Sequence, residues 1–292
     1  MSEPRPPLPD SYEGMRNRSL TAFQAGDVEN AVALHRRLVD KLGRLSDGVL
    51  ARRPELRDME LQARLELAEM LRLEGRFSEA IEVKEVLLET HPDRASDWRR
   101  DLAVLRITQG EVETGLAELR TLAGEAPEDT RRWIVLGVES RLEGRFAESQ
   151  EALDQALVMA QDSGDTDELT STHYHRFLLY REMGRLDDAV AAWNEAVDQN
   201  AEVGGTVREV YTMLTDAGRF SEARRYVDRD DNELQAGYQR GLLAHLAGNQ
   251  AEAKRQWFAV ARLDPEESES GHDAWAVAVL RRRDPEPLLE RI

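Results

Sequence analysis

Residues 72–92 read RLEGRFSEAIEVKEVLLETHP, and residues 141–157 read RLEGRFAESQEALDQAL. The hexapeptide RLEGRF is identical at 72–77 and 141–146, and looser copies follow as REMGRL at 181–186 and TDAGRF at 215–220. A string that returns within one chain marks a repeated structural unit that buries its apolar face only by stacking on its neighbours. Working outward from the glycine of each copy gives the series Gly26, Gly75, Gly110, Gly144, Gly184, Gly218 and Gly248. The successive spacings are 49, 35, 34, 40, 34 and 30, so three of the six fall within one residue of 34.

The flanking pattern reads helix, glycine-centred turn, helix, with no convincing period-two stretch. Glycine suits the left-handed position that closes the first helix. An apolar residue follows it (Val28, Phe77, Val112, Phe146, Leu186, Phe220), and three positions later comes a small one: Ala31, Ala80, Gly115, Ser149, Ala189, Ala223 and, in the last copy, Ala253. A small residue there lets two antiparallel helices approach closely. Ser78, Asp187 and Ser221 are the expected caps of the second helix. The long spacings predict a polar insertion at 161–168 (QDSGDTDE) and extra structure between Lys41 and Glu55; the short one predicts a curtailed second helix before 226–233. Of the prolines after the lead-in, Pro54, Pro92, Pro127, Pro265 and Pro285 are expected where helices begin or end. Large apolar residues expected in the core or between repeats are Trp133, Ile134, Leu136, Trp193, Trp257 and Phe258.

Composition bounds the chemistry. The 292 residues carry 57 acids against 39 bases, a net charge of −18, without the basic footprint of a nucleic-acid binder. The same acidity argues against attachment to anionic membranes, and no run is long and apolar enough to span a bilayer. There is no cysteine, which excludes disulfides, thiolate metal sites and a cysteine nucleophile. The opening MSEPRPPLPD lacks the apolar segment of a secretory signal, so the expected compartment is the cytoplasm. His173 and His175, two apart on a helix, diverge and make no metal pair. The acidic stretches 162–168 and 228–233 lack the glycine and glutamate spacing of a calcium loop. No phosphate-binding glycine loop or nucleophile elbow occurs, and the expectation is a non-enzyme without cofactor or metal.

The 34-residue helix–turn–helix unit resembles the tetratricopeptide repeat. Trp133, Leu136 and Gly137 followed by Gly144, Phe146, Ser149 and Ala156 carry the resemblance most fully; Gly184, Ala189, Trp193 and Ala196, then Gly75, Phe77, Ala80 and Pro92, then Gly248, Ala253, Trp257 and Pro265 repeat it in phase. Departures include Ser140 and Lys84, where the family favours aromatic residues. The resemblance implies an all-α fold, a right-handed superhelical solenoid of antiparallel helix-turn-helix repeats. It would comprise a proline-rich lead-in (1–11), about seven hairpins (12–266), a capping helix (267–283) and a tail (284–292).

The resemblance also implies a function. The family lines its concave groove with first-helix positions two, five, nine, twelve and thirteen, which correspond here to Arg72, Arg100, Arg131, Arg141, Tyr174, Arg181, Arg208, Tyr238 and His245. Glu69, Asp97, Glu182 and Asp216 fall in the same set, so six arginines against four acids give +2. That balance favours an acidic or carboxylate-bearing protein or peptide partner, while apolar residues at position nine (Val104, Val138, Leu178, Leu242) favour apolar anchors. Arg72, Arg141 and Arg181 also suit the negative end of a helix dipole without any ligand. The leading expectation is a protein-interaction scaffold or adaptor. The alternatives are a self-associating repeat protein and a helical accessory module of a larger enzyme or secretion complex.

Overall fold

In a computed structural model of the chain, residues 11–260 are described. Most of the lead-in, the last residues of the array after Val260, the capping helix and the tail expected from the sequence lie outside the described residues. All regular structure among the described residues is helical. The chain divides into two compact units between Gly144 and Arg145.

In the first unit, α1 (Tyr12–Gln24) pairs with α2 (Val28–Gly43). A short helix, α3 (Asp47–Arg52), precedes α4 (Glu55–Leu73), which pairs with α5 (Phe77–Thr90). Then α6 (Ala95–Gln109) pairs with α7 (Val112–Glu125), and α8 (Thr130–Leu142) packs on α7. Stacking runs α2 on α4 and α5 on α6. In the second unit, α9 (Phe146–Ser163) packs on α10 (Thr166–Glu182), which pairs with α11 (Leu186–Gln199). After a 3-10 turn (Ala201–Thr206), α12 (Val207–Asp216) pairs with α13 (Phe220–Val227), and α14 (Glu233–Leu246) with α15 (Gln250–Val260).

The glycine phasing is the frame of this arrangement. All seven glycines of the series have positive φ, from 70° at Gly184 to 102° at Gly110. At Gly75 the chain closes α4 with paired bonds, Gly75 N–H to Arg72 O (3.0 Å) and Arg76 N–H to Leu71 O (2.8 Å), so orphan carbonyls of the last turn are satisfied. The small residue five positions after each glycine is buried in every copy: Ala31, Ala80, Ser149, Ala189, Ala223 and Ala253 have no exposed surface. Gly115 shows why. A Cβ at that position would lie 2.5 Å from the Ala103 carbonyl and 2.4 Å from Ile107 Cγ1.

Several local expectations are corrected. Ser78, Asp187 and Ser221 do not cap the second helices; the N-cap is the arginine directly after the glycine (Arg76, Arg185, Arg219), and it makes no side-chain cap bond. That arginine instead binds the acid three residues on: Arg76 to Glu79 at 2.6 Å, Arg185 to Asp188 at 2.8 Å and Arg219 to Glu222 at 2.6 Å. It also reaches the second helix of the preceding repeat, Glu29 (3.6 Å) from Arg76, Gln150 (2.9 Å) from Arg185 and Asp187 (2.6 Å) from Arg219. Glu79 is further gripped by Arg36 of α2, and the hydrogen bond from Arg76, with that from Arg36, pushes its carboxyl down to about 2. This contribution is present above the ordinary carboxylate range and fades as pH falls from about 4.5 toward 2.

The 49-residue spacing is filled by α3 and by a longer α4. The segment 161–168 is largely helical, extending α9 to Ser163 and opening α10 at Thr166, with only the Gly164 turn between. The shortened α13 matches the expectation. Phe258 is 43 % exposed and is not core; Trp133 is half-buried, whereas Trp98, which the repeat reading passed over, is 1 % exposed. Tryptophan indoles tie down the linkers between hairpins, Trp98 Nε1 donating to His91 O (3.1 Å) and Trp133 Nε1 to Pro127 O (2.8 Å).

Two substitutions in α7 separate helix propensity from packing. Gly124 has open space around its Cβ position, so Gly124→Ala raises stability by about 0.5–1 kcal/mol through propensity. Gly115→Ala gains the same propensity but drives a methyl into a backbone carbonyl, and loses about 1–3 kcal/mol net. Urea unfolding of both variants checks the pair; equal shifts in the same direction would contradict the close approach.

Candidate functional site

The nine sequence candidates divide between the units. Arg72, Arg100, Arg131 and Arg141 belong to the first; Tyr174, Arg181, Arg208, Tyr238 and His245 belong to the second. All lie on the first helices of their repeats, on α4, α6, α8, α10, α12 and α14.

In the first unit, Arg72 closes the last turn of α4 and forms a forked pair with Glu69 one turn back (2.6 and 2.8 Å), which holds the Glu69 carboxyl below its ordinary range. Arg100 sits between Asp101 (3.0 Å) and Asp97 (3.4 Å). It lines a 240 Å³ cleft with Arg94, Asp97, Arg131, Arg132 and Leu122. Arg132 anchors one wall by donating to Leu122 O (2.7 Å) and Asp129 (3.0 Å). Arg141 is partly buried in the last turn of α8.

In the second unit, Tyr174 and Arg181 of α10 both engage Glu209 of α12, the phenol donating at 3.0 Å. Arg208 of α12 donates through Nε to Asp230 Oδ2 at 3.2 Å. The Asp230 side chain is only 3 % exposed, and it also accepts from Tyr211 Oη (3.1 Å) and the Asn232 backbone N–H (3.0 Å). Burial, reinforced by Asp230, pushes the Tyr211 phenol well above its ordinary value. Arg181, Arg208, Glu209, Thr212, Met213 and Asp216 line an open cleft of 540 Å³. Tyr238 is half-buried, and burial raises its phenol too; its carbonyl accepts from Trp257 Nε1 (3.2 Å). His245 Nδ1 lies 2.9 Å from Gln250 Oε1, with its ring centroid 6.0 Å from that of Trp257.

The sequence count of +2 omits acids outside the family's groove positions. Asp101, Glu209 and Asp230 stand beside Arg100, Arg181 and Arg208 and pair with them. Charge on this face is therefore arranged as pairs, not as a basic stripe. What the count also missed is apolar. Leu73, Leu142 and Leu246, each two residues before a turn glycine, are 55 %, 61 % and 46 % exposed. They account for three of the five exposed large hydrophobic residues among those described. Each directly follows a basic or ionisable residue: Arg72, Arg141 and His245. The signal was present in the repeated string itself, where Leu73 and Leu142 stand between a groove arginine and the turn glycine.

Among the described residues no three histidine, aspartate or glutamate side chains are grouped to hold a metal ion, and no helix is long and apolar enough to cross a membrane.

Arg208 and Asp230 differ in what their removal costs. Asp230→Ala strips a buried acceptor from three donors and destabilises by about 2–3 kcal/mol, while Arg208→Ala, whose side chain is half exposed, costs under about 1 kcal/mol. Thermal unfolding of the two variants checks this; equal losses would tie Arg208 to the fold and leave it no freedom for a partner.

No family model matches the sequence, and the comparison with curated proteins gives no match. Solved structures do resemble it. A tetratricopeptide repeat protein from Parabacteroides merdae superposes with a TM-score of 0.50 over 92 % of this chain and 98 % of its own, at 14 % identity. The pilF protein of Pseudomonas aeruginosa gives a TM-score of 0.50 over 76 % of this chain and 97 % of its own, at 18 % identity. The repeat phasing, the left-handed glycines, the buried small residues and these superpositions agree: the chain has the all-α, tetratricopeptide-repeat fold.

Proposed function

We propose that the chain is a non-enzymatic interaction scaffold that binds a segment of a partner protein along the first helices of its repeats. The observation that carries this reading is the recurrence of an exposed leucine at one register, Leu73, Leu142 and Leu246, beside Arg72, Arg141 and His245. A single exposed leucine needs no explanation; the same one returning beside a basic residue at a fixed place in the repeat is an apolar anchor point with a polar rim. The partner that fits has apolar side chains flanked by carboxylates. The open cleft lined by Arg181, Arg208, Thr212 and Met213 supports the same reading in the second unit, with Tyr174 held on Glu209 of its lining and Tyr238 on α14, while in the first unit Arg100 lines the smaller cleft. A carboxylate from the partner would share Arg181 and Arg208 with Glu209 and Asp230, so charge would orient the segment while leucine burial supplies most of the affinity.

The test uses a partner first identified by affinity capture of the full chain and then purified. Leu73→Ser with Leu142→Ser is expected to weaken that partner by about 10- to 100-fold in titration calorimetry, since each lost anchor, half exposed to begin with, is worth about 0.7–1.4 kcal/mol. The melting temperature stays within about two degrees, because neither side chain is buried. Unchanged affinity in the folded double variant overturns the reading. Loss of concentration-dependent light scattering in the same variant would instead identify a second copy of the chain as the occupant.

A further inference from the structure

The first hairpin contains a buried polar chain that the proposed function does not use. His35 of α2 has no exposed surface, and neither has Ser19 of α1. Ser19 Oγ lies 2.7 Å from the Ala31 carbonyl and 2.9 Å from His35 Nδ1. A hydroxyl has one hydrogen, and the carbonyl can only accept it; His35 Nδ1 must then carry its own N–H and donate to Ser19. Nε2 is left as a bare lone pair. It is buried, has no hydrogen-bond partner, and lies 3.4 Å from Glu66 Oε2 of α4. The opposite tautomer moves the conflict to Ser19 without removing it. A neutral imidazole thus has one proton for two positions that both face acceptors.

Filling the second position costs a buried charge. The charged groups that face the ring are Arg16 from α1 and Glu66 from α4. Glu66 is already engaged: Arg16 Nε lies 2.8 and 3.0 Å from its two oxygens, and Gln62 donates to it at 3.0 Å. A protonated His35 would therefore give the trio Arg16, Glu66 and His35 a net charge of about +1, with the imidazolium itself closed off from water while Arg16 keeps partial access to it. The serine, histidine and glutamate stand in the order of a hydrolytic triad, but the serine is sealed inside the hairpin, so the arrangement serves to hold helices together.

We propose that His35 is a proton-sensitive lock: neutral, it seats the first hairpin on α4, and proton uptake in mildly acidic solution releases that hairpin from the end of the array. Burial pulls the imidazole below its ordinary value, Arg16 adds to this, and Glu66 and the Ala63 backbone oppose it. With the folded-state value below the unfolded one, the contribution is fully present above about pH 6.5 and is lost as pH falls through the folded-state value. Release would bare apolar residues of α4 such as Leu67 and Leu71, which are now buried.

Hydrogen–deuterium exchange on the full chain at pH 7.5 and 5.5, corrected for the intrinsic pH dependence of exchange, reads the lock directly. Protection over α1 and α2 is expected to fall by about tenfold, the limit for one proton taken up across that window. Protection over α12 and α13, which contain no histidine, is expected to change by less than about twofold. In His35→Asn the pH dependence over α1 and α2 disappears. Equal changes in both regions, or no change over α1 and α2, overturn the proposal. Should that variant fold poorly, NMR titration of the wild-type imidazoles decides: His35 is expected to titrate below about 6.5, and lower still in Glu66→Gln. A value at or above 6.5 overturns the proposal.

Discussion

The structure depends on one constraint, the distance of closest approach between the two helices of each hairpin. A glycine in the left-handed region turns the chain, and five residues later a side chain no larger than alanine or serine sits at the crossing with no exposed surface. Gly115 is the limiting case, where even a methyl would strike a backbone carbonyl. Close approach brings the apolar faces of both helices to the same core, and stacking of consecutive hairpins continues that core along each unit. The variation in repeat length, from 30 to 49 residues between glycines, is absorbed between hairpins, by α3, by the 3-10 turn at Ala201–Thr206 and by changes in helix length away from this crossing.

On that frame the arginine after the glycine acts as a second, electrostatic register mark. It pairs with an acid in its own helix and reaches the preceding repeat, at Arg76, Arg185 and Arg219 alike. Exposed pairs of this kind contribute little each, so their value is in alignment more than in stability. Because the arginines and the small residues fix the packed sides, the residue two before the glycine is left on the open side. It is leucine in three copies and polar in the others, so the frame does not demand an apolar residue there.

How much was legible in the sequence follows the range of the interactions. The glycine turn and the small residue act within a few positions, and both could be phased from RLEGRF and its copies. Pairing between repeats could not, because Glu29 and Arg76, or Asp187 and Arg219, meet only after stacking. The expected caps failed for a local reason: Ser78 looks like a cap in isolation, but the glycine turn starts the helix earlier, at Phe77. Trp98 was passed over because it stands out of phase with Trp133, twelve residues before its turn glycine and not eleven, although it is among the most buried side chains described. On the candidate face, the arginines were found by register, but counting charge at fixed positions overlooked the acids one helix away and the solvent-facing leucines.

The absence of cysteine allows a direct measurement of the central claim, that one register of each repeat is packed and another open. Single cysteines replacing Leu73, Leu142 and Leu246, and single cysteines replacing Ala80, Ala189 and Ala253, can be titrated with a thiol reagent in the native protein. The first set is predicted to react within about tenfold of the unfolded-chain rate, and the second to be slower than that rate by more than about a hundredfold, since it reacts only through opening of the hairpin. Similar rates in the two sets would contradict the account.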